Sequence, residues 1–207
     1  MRIGLLGGAF NPPHFGHLKL AELALEQLEL DELRFVPTAI SPHKPAVEGP
    51  DASARLALLK AALKDFPGPV KIEMAELERG GTSYCAETLE TLAEREPEGE
   101  WILVLGSDQL PGLPKWHRFT RVLELASVAV APRPGFPKVL PDVVKDRERP
   151  RWSGSPGEMI WLPGTELPYA SSALRRGLGQ VSSHTSAFDG IQPQVMAVIT
   201  AEDYYRN

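Results

Sequence analysis

Arg2-Ile3-Gly4-Leu5-Leu6-Gly7-Gly8-Ala9-Phe10-Asn11-Pro12-Pro13-His14-Phe15-Gly16-His17 opens the chain in three parts: an apolar run, a glycine- and proline-rich turn, and a histidine pair. Residues 2–6 read as a short buried strand that stops at Gly7-Gly8. Beyond His14, Leu18, Ala21, Leu25 and Leu28 recur at the spacing of one helical face, so a helix is predicted from about Pro13-His14. A strand that turns through glycines into a helix places free N–H groups and a positive dipole end where an anion can approach the backbone. His14 and His17, three positions apart, project from one side of the first helical turn. Gly16 between them is expected to remove a side chain that would crowd a ligand. No glutamate or third ligand accompanies the histidines at metal spacing, so an HExxH zinc site is unsupported. The glycines also lack the GxGxxG spacing of a dinucleotide-binding turn. The plain alternative is an ordinary strand-to-helix turn with a histidine cap.

The same alternation continues outward. Strands are predicted at 33–36, 70–73, 101–105, 126–131 and 159–162, and helices at 51–64, 84–94, 171–178 and 193–202. The 51–64 helix is expected to present Ala54, Leu58 and Ala61 on its apolar side. Strand and helix in turn imply an α/β fold, a Rossmann-like, mainly parallel sheet flanked by helices, with a small helical segment at the C-terminus. Ligands of such sheets gather at the carboxyl ends of the strands. One domain is expected over 1–207, with the α/β core in 1–165 and the helical part in 166–207. Eight of the twenty prolines fall in 132–168, which reads as a long loop containing one last strand.

Composition sets bounds on this reading. The 207 residues are 43% hydrophobic and 24% charged, an ordinary globular mixture. Glycine and proline together make up about 18% of the chain, above the usual ~12%, and follow no period, so a compact fold with much loop is expected. The single Cys85 excludes an internal disulfide framework and fits a reducing, cytoplasmic setting. No apolar run approaches membrane-spanning length, and the N-terminus does not read as a secretory signal. A net charge of −5 argues against a broad nucleic-acid surface, while a phosphate ligand needs only a few placed cations. Neither nucleic acid nor membrane is expected as a partner, and homo-oligomerisation is left open.

Further residues carry chemistry suited to a polyphosphate. His43-Lys44, on a proline-stiffened loop, offers cationic donors or is a solvated loop pair. Ser171-Ser172 can cap a helix whose Arg175, one turn on, points back toward phosphates; a capped helix with a surface arginine is the alternative. Asp108 follows a strand end at Gly106-Ser107, the address of a ribose- or metal-contacting carboxylate or of a helix cap. Trp116 beside His117 suits stacking on a flat ring, or serves as a core or surface aromatic.

His14-Phe15-Gly16-His17 resembles the (H/T)xGH signature of the nucleotidyltransferase superfamily. Phe35-Val36-Pro37-Thr38 with Ser41-Pro42-His43-Lys44 is similar to the phosphate-facing loop of bacterial nicotinate mononucleotide adenylyltransferases. Arg79-Gly80-Gly81-Thr82-Ser83-Tyr84 with Glu87-Thr88-Leu89 resembles that family's nicotinate end. Gly106-Ser107-Asp108-Gln109-Leu110, Trp116, Ala131-Pro132-Arg133-Pro134-Gly135 and Ala170-Ser171-Ser172-Ala173-Leu174-Arg175 follow in the family's order, the last resembling its SSTxIR motif. The resemblance spans nearly the whole chain. It implies adenylyl transfer from ATP, accompanied by Mg²⁺, to nicotinate mononucleotide, giving the deamido dinucleotide of NAD biosynthesis and pyrophosphate. By that likeness His14, His17, Lys44 and Arg175 are catalytic. ATP would meet Gly8, Ala9, Phe10, Gly106, Arg133 and Ser172 as well as His14, His17 and Arg175. The mononucleotide would meet Asn11, Lys44, Thr82, Ser83, Tyr84, Cys85, Asp108, Trp116 and His117, and no side chains would hold a metal.

Two departures stand out: Cys85 where the family usually has threonine, and Ala173 in place of the threonine of SSTxIR. The first bears on selection between acid and amide mononucleotides, the second on one phosphate hydroxyl. Three rival readings are a phosphopantetheine adenylyltransferase, a non-catalytic nucleotide sensor and a nucleic-acid-binding regulator. The first is expected to be shorter and to lack the Pro-His-Lys and Gly-Gly-Thr-Ser-Tyr stretches. The second sits poorly with intact His14, His17, Lys44 and Arg175, and the third with the acidic balance.

Overall fold

A computed structural model of the chain describes residues 1–42, 49–164, 169–180 and 188–205. Strands β1 (Arg2–Gly8), β2 (Glu32–Pro37), β3 (Val70–Ile72), β4 (Glu100–Gly106), β5 (Ala126–Ala131), β6 (Glu148–Arg149) and β7 (Met159–Trp161) form one sheet. Their order is β3-β2-β1-β4-β5-β7-β6, and each neighbouring pair is parallel.

The helices are α1 (Phe15–Gln27), α2 (Ala52–Leu63), α3 (Ala75–Arg79), α4 (Cys85–Arg95), α5 (Phe119–Leu125), α6 (Ser171–Gln180) and α7 (Pro193–Ala201). They cover both faces of the sheet, which is why the central strands are buried nearly throughout rather than alternately. The pleat still divides the strand residues. Ile102, Val104, Ala129 and Ala131 join a core with α1, α2, α6 and α7, while Leu103, Leu105, Val128 and Val130 join one with α4 and α5. Asp51 starts α2 by accepting the Ala54 N–H at 2.9 Å.

β1 pairs with β2 on one side and β4 on the other, and the strand order reverses direction between β1 and β4. Their neighbours end level with them: Gly8 is opposite Pro37, and Gly106 opposite Ala131. Chain leaving β1 and chain leaving β4 therefore diverge, opening a crevice at the carboxyl edge. The C-terminal segment reaches this edge as well, with Phe15 N–H donating to the Gly190 carbonyl at 2.9 Å.

Several elements depart from the expected pattern. The Pro- and Gly-rich stretch after β4, for which no helix was expected, is a 3-10 helix over Ser107–Lys115, containing Pro111 and Pro114, that leads into α5. The 132–168 stretch, expected to hold one strand, also carries a 3-10 helix at Asp142–Arg147 and β6. The buried side of α2 is Arg55, Leu58, Leu59 and Ala62, so its apolar face is rotated from the Ala54, Leu58, Ala61 stripe.

Candidate active site

A cleft of about 350 Å³ lies over the carboxyl ends of β1 and β4. The turn 8–11, His14 and His17 form one wall, and Ser83 to Cys85 with Trp116 and His117 another. Gly106, Asp108 and Arg133 line the β4 side, and Ser172 and Arg175 come in from α6.

The histidine pair is built by the start of α1. His14 is the extended residue just before the helix, and its N–H donates to Nδ1 of His17 at 3.2 Å. Accepting at Nδ1 leaves the proton of neutral His17 on Nε2, the other edge of the ring. The two rings stack with centroids 3.7 Å apart, and Phe10 meets His17 edge-on at 5.0 Å. His14 is 1% exposed, and its Nδ1 is buried without a hydrogen-bond partner among the described residues. Burial, assisted by the charge of Arg133, holds its pKa down to about 3, so it is neutral at physiological pH. A Cβ on Gly16 would stand 2.9 Å from two atoms of the His14 ring. Gly16 thus makes room for the His14 ring.

The turn between β1 and α1 is clamped by side chains from α2, α6 and the C-terminal segment. Arg175 Nη1 donates to the Asn11 carbonyl at 2.7 Å, and the Tyr205 hydroxyl donates to Asn11 Oδ1 at 2.6 Å. Arg55, 7% exposed, donates to the Ala9 carbonyl at 2.7 Å and to the Thr38 and Ala39 carbonyls at 2.7 and 3.2 Å. Ser171 does not cap α6 through its hydroxyl, as expected of the serine pair; it is the first helical residue and donates to the Pro12 carbonyl at 3.3 Å. The Ala170 carbonyl instead receives the first helical bonds, from Ala173 and Leu174.

Across the cleft, the Asp108 and Arg133 side chains meet over Gly106. Arg133 Nε lies 3.2 Å from Asp108 Oδ1 in an ion pair, and Oδ1 has no hydrogen-bond donor among the described residues. Ser107 Oγ accepts the Arg133 N–H at 2.9 Å, tying the ends of β4 and β5 together. On the far wall the Ala39 N–H donates to Ser83 Oγ at 2.9 Å, and the Tyr84 and His117 rings lie 4.3 Å apart. Glu76, 6% exposed, accepts from Thr88 at 3.0 Å. Burial raises its pKa, opposed by the Ser83 and Thr88 hydroxyls and by Arg79. Burial, with Glu76 beside it, pushes the Cys85 thiol up to about 12.

Most of the residues singled out in the sequence meet in this cleft, with particular exceptions. Thr82 does not line it; its backbone bridges to Ile40. The Phe10 ring is core, packed against Phe35 and His17, so only its main chain can face a ligand. Asn11 lines the cleft with its amide oxygen committed to Tyr205. Lys44 and His43 lie outside the described residues. Arg55, Glu76 and Tyr205 were not found by sequence reasoning.

A fully parallel sheet with a cationic, histidine-bearing cleft at its switch point defines an α/β protein of the nucleotide-binding kind. The cytidylyltransferase-like family model matches residues 5–177. A probable nicotinate-nucleotide adenylyltransferase of Methylococcus capsulatus is 37% identical over 184 residues, covering 85% of this chain and 87% of that protein. The nicotinate-nucleotide adenylyltransferase of Bacillus subtilis is 39% identical over 135 residues, covering 65% of this chain and 71% of that protein. Among solved structures, nicotinic acid mononucleotide adenylyltransferase of Plasmodium falciparum complexed with NaAD has the same fold. It superposes with a TM-score of 0.77 at 16% identity, covering 98% of this chain and 96% of that one. The chain belongs to the cytidylyltransferase-like family and, within it, to the nicotinate-nucleotide adenylyltransferases.

Proposed function

We propose that this protein transfers the adenylyl group of ATP to nicotinate mononucleotide, as one domain in which the 166–207 part closes one side of the α/β core. A mononucleotide phosphate oxygen attacks the α-phosphorus of ATP. The bond to the bridging oxygen breaks, and pyrophosphate leaves with the electron pair. The attacking oxygen is already anionic, so no general base or covalent intermediate is needed. The protein's tasks are in-line alignment and stabilisation of charge on the leaving group.

The observation that carries this reading is His17, whose proton is set on Nε2 by the His14 N–H at Nδ1, in a cleft shared with Arg133 and Arg175. His17, Ser172 and Arg175 hold the ATP phosphates with the 8–10 main chain, and neutral His14 supports His17. Lys44, which follows β2 in the sequence, joins them. Gly106 and Arg133 border the adenosine. Asp108 contacts the mononucleotide ribose, and Ser83 to Cys85, Trp116 and His117 enclose the pyridine. Among the described residues no three His, Cys, Asp or Glu side chains gather as a metal cage. Mg²⁺ would enter with ATP and would neutralise phosphate charge there.

Pyrophosphate release from Mg²⁺-ATP tests the reading with nicotinate mononucleotide, nicotinamide mononucleotide and phosphopantetheine offered separately. Release with the first, at a higher kcat/KM than with the second, is expected. Equal rates with both pyridine nucleotides would remove the acid preference, and no release with any would favour a nucleotide sensor.

A further inference from the structure

Arg55 is a full charge placed on the core side of a helix, where apolar residues would pack at less cost. Its partners are the main-chain carbonyls of Ala9, Thr38 and Ala39. These belong to the loops that leave β1 and β2 at the cleft edge, so one planar donor spans the two. The Ala9–Phe10 peptide is trans, and in a trans peptide the carbonyl and the next N–H point in opposite directions. With the Ala9 carbonyl held by Arg55, the Phe10 N–H points away from Arg55, on a turn whose residues line the cleft. Phe10 itself has φ +46°, a left-handed conformation rare for a residue with a side chain and kept only where the surroundings enforce it. Its ring is locked in the core, and Arg175 holds the carbonyl of the following residue, Asn11. Burial lowers the Arg55 pKa, yet a guanidinium stays charged at physiological pH.

We infer that Arg55 is a positioning residue, which turns the Phe10 N–H toward the nucleotide phosphates by holding the Ala9 carbonyl. The inference rests on the cleft being the ATP site proposed above. It gives Arg55 a role in the reaction without contact to either substrate.

Protein labelled with ¹⁵N-phenylalanine and titrated with Mg²⁺ and a non-reactive methylene analogue of ATP reads the Phe10 amide directly, apart from turnover. In the wild type its resonance should move downfield on binding. In Arg55→Lys, which keeps the charge and most of the bulk but cannot span the carbonyls, that response should vanish. The same variant should lose between about tenfold and a hundredfold in kcat, as for a misplaced transition-state donor, with each KM within about threefold. A Phe10 amide unmoved by the analogue in the wild type overturns the inference, even if Arg55 variants fail to fold. So does a folded Arg55→Lys with wild-type kcat, or a loss confined to KM. Absent turnover in a wild type whose Phe10 amide still responds would strike the proposed reaction and leave the Arg55 assignment standing.

Discussion

The His14 main-chain N–H donates to Nδ1 of His17 at 3.2 Å while the two imidazoles stack at 3.7 Å. One hydrogen bond thus sets the tautomer of His17, and one ring contact sets its plane. The helix start supplies both, so the Nε2 donor of His17 is oriented by the fold itself.

If that donor stabilises the departing pyrophosphate, His17→Ala should lower kcat by about a hundredfold, on the order of 3 kcal/mol in the transition state. His17→Gln keeps an N–H at similar reach and should recover part of the loss. Steady-state pyrophosphate release on folded protein is the measurement. Wild-type turnover in His17→Ala would end the assignment.

His14 predicts an acid limb in stability. Its pKa is about 3 in the folded protein, against 6.5 for an unperturbed imidazole. Between those values the unfolded chain binds the extra proton, so stability is fully present above pH 6.5 and falls as pH drops toward 3. The slope is about 1.4 kcal/mol per pH unit, hence about 2 kcal/mol lost between pH 6.5 and pH 5. Urea unfolding at pH 7 and pH 5 should show this loss reduced by roughly that amount in His14→Gln. An unchanged pH dependence in the variant would show that His14 is not buried in neutral form.

These features differ in how far the sequence discloses them. The β1 turn is legible because glycine, proline and histidine are each unusual there, and their spacing places them at one strand-to-helix junction. β4 and β5 are legible as apolar runs. Arg55 is not, because a charge on an amphipathic helix reads as solvent-facing until the fold turns that face inward. The Tyr205 contact to Asn11 joins residues 194 positions apart, beyond any local pattern. The 3-10 helix at Ser107–Lys115 hides behind Pro111 and Pro114, which in sequence signal a loop. Gly16 is legible as a needed glycine, but which group fills the space beside it is a matter of packing.

Cys85 should be a poor nucleophile despite lining the cleft. With its pKa pushed from 9.0 up to about 12, its thiolate fraction at pH 8 is lower by about a thousandfold. Labelling with a disulfide reagent should be slower than that of free cysteine by at least about tenfold, since the greater basicity of the thiolate recovers only part of the loss. Glu76→Gln should speed it, because the carboxylate contributes to the shift. Labelling at the rate of free cysteine would show that burial does not hold the thiol protonated.

Gly106→Ala disturbs the Asp108–Arg133 pair, at the edge of the proposed adenosine position, with little effect on the fold. Gly106 has φ −80° and ψ 150°, a conformation alanine takes without strain. The added Cβ would fall 2.3 Å from Asp108 Oδ1 and 2.8 Å from Arg133 Nε. Both are side-chain tips that can swing aside, so the thermal midpoint should move by no more than about 2 °C. The cleft, by contrast, loses the arrangement in which a carboxylate and a guanidinium meet between the two proposed substrate positions. kcat/KM should fall by about ten- to a hundredfold, and the loss should not add to that of Asp108→Ala, since both variants dismantle one pair. Full additivity would mean that the two residues act separately, and an unchanged kcat/KM in Gly106→Ala would remove the pair from the site.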